Sequence, residues 1–191
     1  SQKKEIWSNQ VGLFDLSADR LCYYELKVQR GMQKMMVVAE SEEQEEAFNL
    51  DILDTPPGAK MADKILCACG ERLLERKLFS TIILSGKGFE RQDWAPEFMK
   101  MICRRRKVYA ETALFSQGAA YRASDYMQEK TSYPFVCICE GRLKSTVSMQ
   151  VLYKDRISQL VVASAGENWY ESKTSMEFLL DDSRSLEFVI T

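Results

Sequence analysis

Two short stretches of this chain carry residue types that could act on a phosphate or a nucleotide. They are Asp15-Leu16-Ser17, closing one apolar run, and Ser85-Gly86-Lys87-Gly88-Phe89, closing another. A carboxylate such as Asp15 can orient Mg²⁺ or a water molecule, and glycine lets backbone N–H groups approach a ligand that any Cβ would hold off. Lys87 could meet ribose or phosphate and Phe89 could stack on a base. The plainer expectation for Lys87 is a side chain in water, and for Phe89 a place in the core. A third cluster, Arg104-Arg105-Arg106-Lys107, is strongly basic and follows a predicted helix, where cations complement the dipole and cap free carbonyls.

Other chemistries are bounded by what the chain contains. It has no histidine, which removes His-dependent nucleophilic triads and His metal ligands. Its six cysteines include two Cys-x-Cys pairs, Cys67/Cys69 and Cys137/Cys139, without the Cys-x-x-Cys spacing usual for zinc. All six lie in apolar segments, so they are expected to be free, buried thiols and no metal site is expected. With 46% apolar and 28% charged residues over 191 positions, the chain can build one sizeable core or two modest ones. A formal charge of −2 gives no general attraction to nucleic acid or anionic lipid. No segment reads as a membrane span and Ser1–Gln10 has no apolar signal core, so a cytoplasmic location is expected. The chain does not begin with Met, which suggests a piece of a longer protein.

The elements that would position these residues follow from periodicity. Val11–Leu16, Leu21–Val28 and Lys34–Ala39 read as three strands of a meander, with turns at Ser17–Arg20 and Arg30-Gly31. The acidic run Glu40–Glu46 and the stretch Asn49–Gly58 read as a solvated linker. Ala59–Lys77 shows Met61, Ile65, Leu66, Cys69, Leu73 and Leu74 at helical spacing. A strand Ser80–Leu84, a helix near Ala95–Cys103, a strand Lys107–Tyr109 and a helix near Thr112–Met127 complete the order β-β-β-α-β-α-β-α. That is the order of a ribonuclease-H-like lobe. The expected fold is therefore α/β to about residue 130, followed over 131–191 by a small antiparallel β-rich unit. The strands of this second unit are read at Phe135–Cys139, Ser145–Leu152, Ile157–Ala163, Ser175–Leu180 and Ser185–Ile190.

The stretch from Phe79 to Ala123 resembles the adenosine-binding end of the actin-like ATPase superfamily: actin, the seventy-kilodalton heat-shock chaperones and the bacterial actin-like division proteins. In that family an apolar strand ends in a Gly-Gly turn beside the nucleotide, and a later helix carries a Gly-Ala pair. The matching residues are Thr81–Leu84, Gly86-Lys87-Gly88 and Gly118-Ala119-Ala120. The family's phosphate loop, Asp-x-Gly-x-x-Thr, corresponds to Asp15-Leu16-Ser17-Ala18-Asp19-Arg20, so Ser17 and Arg20 replace its Gly and Thr. The resemblance implies Mg-ATP or Mg-ADP as the ligand class, bound through Asp15, Ser17, Gly86, Lys87, Gly88 and Phe89. It also implies a missing N-terminal lobe of the same polypeptide, and a second unit similar to the start of the chaperones' β-sandwich. The altered glycines favour a degenerate site on a lobe kept for protein contact, without catalysis by this piece alone. The alternative is a genuine ATP-binding lobe of a larger ATPase. A nuclease using Asp15 ranks third, because the strand ending at Leu84-Ser85-Gly86 offers no carboxylate before Glu90.

Overall fold

The computed structural model describes residues 9–17, 19–30, 35–138, 141–180 and 185–191. Ala18, the Gly31 turn, Lys34 at the start of the third expected strand, Cys139 and the Asp181-Asp182-Ser183 turn lie outside them. The described chain is mixed α/β. Its strands are β1 (Gln10–Ser17), β2 (Arg20–Arg30), β3 (Met35–Ala47), β4 (Phe79–Ser85), β5 (Lys107–Ala110), β6 (Phe135–Ile138), β7 (Val147–Tyr153), β8 (Arg156–Ala163) and β9 (Val189–Ile190). Its helices are α1 (Pro56–Leu74), α2 (Pro96–Ile102) and α3 (Leu114–Tyr126). One sheet runs β5-β4-β1-β2-β3-β6 and the other β8-β7-β9. The chain divides into two compact units, Ser1–Val28 with Val38–Tyr133, and Gln29–Val37 with Pro134–Thr191.

In the first unit β1 pairs antiparallel with β2 from Val11↔Leu26 to Ser17↔Arg20, and parallel with β4, which is itself parallel to β5. Lys27 meets Glu40 and the Phe48 N–H reaches the Asp19 carbonyl, so rising numbers on β2 meet falling numbers on β3, an antiparallel relation. β3 overturns the linker expectation for Glu40–Glu46, because it continues to Ala47. Consecutive glutamates give no alternation to read. Their charges are met across the sheet by Lys27 at 2.6 Å from Glu40 and Arg20 at 3.3 Å from Glu43.

Alternation along the strands sends Phe14, Leu16, Leu21, Tyr23, Ile82 and Leu84 to one face, where α1 and α2 cover them with Leu66, Cys69, Leu73, Phe98 and Ile102. α1 starts at Thr55-Pro56-Pro57: the Thr55 hydroxyl accepts the Gly58 N–H, and proline at the first helical position loses no bond the helix could make. Its buried stripe is Ala62, Asp63, Leu66, Cys69, Leu73 and Leu74, rotated from the expected one, so Met61 is left 62% exposed.

The second unit holds a three-stranded antiparallel sheet. Its β7–β8 hairpin closes through Lys154 and Asp155, both at positive φ (50° and 59°), the turn whose twist matches that of the strands. Thr146 and Thr191 exchange N–H···O bonds of 2.8 and 3.0 Å. Ser175–Leu180 is not a strand, and of Ser185–Ile190 only Val189–Ile190 pairs. The expectation of buried thiols also fails in part. Cys69 is buried and Cys22 and Cys67 are half-buried, but Cys103 and Cys137 are exposed; none of these five is in a disulfide.

Candidate functional site

The parallel pairing of β1 and β4 sets Asp15 opposite Ser85, which brings the two chemistry-bearing stretches together at the carboxyl ends of these strands. Asp15 is half-buried and accepts a 3.3 Å hydrogen bond from the Ser17 hydroxyl. Gly86 follows at φ 92°, a backbone conformation that costs an L side chain energy. A Cβ there would lie 2.4 Å from the Leu16 carbonyl oxygen and 2.5 Å from Ser17 Oγ. At Gly88 a Cβ would lie 2.4 Å from Leu16 Cδ2. Both glycines thus admit the end of β1. The space that a Cβ at either glycine would enter is filled by Leu16 and Ser17.

Phe89 is 3% exposed and packs parallel to Trp94 and Phe98, with centroids 6.3 and 6.2 Å away. It is a core ring, unavailable to stack on a base, and this corrects its place among the cofactor-binding candidates. Trp94 is locked beside it by an indole N–H donated to the Gly88 carbonyl at 2.8 Å. Lys87 alone of the turn points outward. It borders a shallow hollow of about 190 Å³ with Leu50, Leu53, Asp54, Glu90, Arg91 and Trp94.

The charge around this hollow does not suit phosphates. Arg91 is held by Asp54 at 3.2 Å and Asp93 at 3.3 Å, and Lys87 shares the wall of the hollow with Glu90. On β2, burial first and then the charges of Glu43 and Asp15 raise the Cys22 thiol above its ordinary pKa. Among the described residues no group of three or more Cys, Asp and Glu is placed to hold a metal ion.

The remaining candidates resolve as follows. Gly118 was expected to admit close packing, yet a Cβ there would meet nothing within 4 Å, and the Gly118-Ala119-Ala120 face is open to solvent. α3 touches the sheet through Phe115, edge-on to Tyr24 at 5.5 Å. Arg104, Arg105 and Arg106 were expected to cap α2. Its last carbonyls instead accept the backbone N–H groups of Cys103 and Arg104, at 3.0 and 3.4 Å.

Sequence reasoning missed two buried carboxylates. Asp63 on α1 holds the start of α2, and burial first, then its charge, push the neighbouring Cys67 thiol up to about 11. Glu25 on β2 is 2% exposed and takes the Lys77 ammonium at 2.6 Å. Burial, reinforced by Glu25, raises the Tyr23 hydroxyl. A carboxylate on an otherwise apolar face was the available signal for both. In the second unit a polar hollow of about 530 Å³ includes Arg142, Glu167, Asn168 and Glu171 in its wall. These groups engage one another or the backbone: Arg142 donates to the Gly166 carbonyl, Asn168 to Glu171, and Glu167 accepts from Ser164 N–H and Ser172.

Residues 1–140 match a family of unknown function (DUF5716), C-terminal part, and residues 142–191 match a domain of unknown function (DUF8552). None of the curated proteins compared matches the chain. Among solved structures, the yeast mitochondrial Holliday junction resolvase Ydc2 is similar over 71% of this chain, at 13% identity and a TM-score of 0.24. The chain spans 56% of that resolvase's length.

Proposed function

We propose that this chain, which belongs to the DUF5716 C-terminal family, is a ribonuclease-H-like lobe of actin-like or chaperone-like kind whose nucleotide site is degenerate and which serves as a protein-interaction scaffold. The lobe reading is supported by the sheet order β3-β2-β1-β4-β5, with β2 antiparallel to β1 and β4 and β5 parallel to it. The single observation that carries the degenerate-site reading is the contact of Gly86 and Gly88 with Leu16 and Ser17. Those glycines are explained by chain packing, with no ligand required.

Electrostatics supports the same reading. Binding an anionic nucleotide in water calls for several uncompensated cations or a cradle of N–H groups. Here Lys87 stands beside Glu90, and Arg91 is already neutralised. The alternative, an ATP-binding lobe of a larger two-lobed ATPase, has the hollow beside Lys87 in its favour. Its volume of about 190 Å³ falls below the roughly 300 Å³ at which ligand pockets begin.

Titration calorimetry of Mg-ADP and Mg-ATP into the full-length gene product tests the proposal, with Lys87→Glu as the control because that side chain is exposed and takes no part in the core. The scaffold reading expects no saturable heat up to millimolar nucleotide. Saturable binding that Lys87→Glu weakens would overturn it in favour of the ATPase lobe.

A further inference from the structure

We infer that Ser175–Leu180 is a strap that closes antiparallel onto the outer edge of β8 and completes the second unit's sheet. The inference concerns the second unit alone and stands apart from the scaffold reading. β8 has β7 on one side and, among the described residues, no strand on the other. The two-residue turn between Tyr153 and Arg156 makes these two a hydrogen-bonded pair. Alternation from that pair points the N–H and C=O groups of Ser158 and Leu160 at β7, and those of Ile157, Gln159 and Val161 outward. Among the described residues no backbone hydrogen bond outside the strand ladders reaches these three.

The strap is already fastened at one end. The Thr174 hydroxyl donates to the Val162 carbonyl at 2.9 Å, and Val162 is the extra residue of a bulge in β8, without a partner on β7. Carried antiparallel from there, with Thr174 opposite Val162, Ser175–Leu180 runs beside the stretch from Val161 back to Arg156. Ser175 then meets Val161, Glu177 meets Gln159 and Leu179 meets Ile157, the three outward-facing positions. Chain length permits it. Leu180 would stand beside Arg156, while Val189 pairs with Ser148 on the far side of β7, a separation of about 22 Å from strand spacing and rise. The chain from Leu180 to Val189 can reach about 30 Å.

The side chains select this register. On one face it lines up Leu152, Ile157 and Leu179, which stand 73%, 76% and 102% exposed with the strap open. The next row on that face, Gln150, Gln159 and Glu177, is polar throughout. On the other face Met176 falls beside Leu160 and buried Met149, and Phe178 beside Ser158 and half-buried Val151. Slipping one residue either way would move Glu177 to the face of Met149 and Val151. Closure therefore takes an exposed aliphatic row out of water and pairs an open edge that would otherwise template association with other chains.

Amide hydrogen exchange of the full chain, followed residue by residue in proton–nitrogen spectra, reads the strap directly. The inference expects the amides of Ile157, Gln159 and Val161 to exchange at least about tenfold more slowly than in an unstructured peptide. Glu177→Pro removes the N–H that meets Gln159 and should erase that protection. Leu179→Asp, which sets a charge in the row of Leu152 and Ile157, should do the same. The Leu160 amide, bonded to β7, should stay protected in both variants and shows that the hairpin is intact. The inference is overturned if the three amides of the parent chain exchange at the unstructured rate, or if they stay slow in both variants. It is also overturned if their protection falls on dilution, which would assign the added strand to a second copy of the chain.

Discussion

Asp63 and Phe98 join the two helices that cover the sheet: the Asp63 Oδ1 on α1 accepts the Phe98 backbone N–H of α2 at 2.9 Å, and its Oδ2 accepts that of Glu97 at 2.9 Å. A seven-residue helix is too short to persist alone, and its own preceding residue, Ala95, offers no side-chain cap. The cap is supplied from a neighbouring helix. A buried carboxylate in the middle of an apolar stripe thereby becomes the device that starts α2 where Phe98 and Ile102 can reach the core.

Asp63→Ala should therefore strand two N–H groups at a buried helix end. The expected loss is roughly 2 kcal/mol of unfolding free energy, read from the urea midpoint of the whole chain. A loss indistinguishable from zero would show that water replaces the carboxylate.

Two glycine substitutions should move stability in opposite directions. Gly86→Ala places a methyl group against the Leu16 carbonyl at positive φ and should cost at least about 2 kcal/mol. Gly118→Ala meets open space within a helix and should gain roughly 0.5–1 kcal/mol. Thermal unfolding of both variants beside the parent chain reads the contrast, and a stabilised Gly86→Ala would contradict the packing account.

The order of elements along the first unit was legible because apolar runs and turn residues alternate through it, and the strands and helices found there follow that alternation. Two misplaced readings have physical causes. Glutamates at Glu40, Glu42 and Glu43 hide the second half of β3, since a strand whose outward charges are met by Lys27 and Arg20 has no apolar period to show. Ser175–Leu180 does alternate, but alternation specifies which face a pleat would bury and cannot supply the neighbouring edge a strand must pair with. At the candidate site the turn itself was readable at Gly86. What fills the space above it was not, because Leu16 meets Gly86 only through the register of β1 on β4.

The close of α3 should make the first unit sensitive to acid. Burial would raise the Asp125 carboxyl, but the Ser132 N–H at 2.9 Å, the Thr131 and Ser132 hydroxyls and Arg122 together hold it below its ordinary value. A lowered folded pKa contributes stability that is present above the unfolded value, about 3.9, and lost as pH falls through the folded one. The gap in urea midpoint between the parent chain and Asp125→Asn should thus be widest near neutrality and narrow below about pH 4. A gap that stays constant down to pH 3 would refute this assignment.

The claim on which the functional account turns is that β1 occupies the ground of the adenosine turn. The amide resonances of Gly86 and Gly88 in a two-dimensional proton–nitrogen spectrum report on it directly, as Mg-ATP is raised to millimolar concentration over the full-length protein. The account predicts that both stay where they are, as does the amide of Phe89 beneath them. Saturable shifts at Gly86 and Gly88, with a common midpoint and loss of the effect in Lys87→Glu, would contradict it and restore a working nucleotide site.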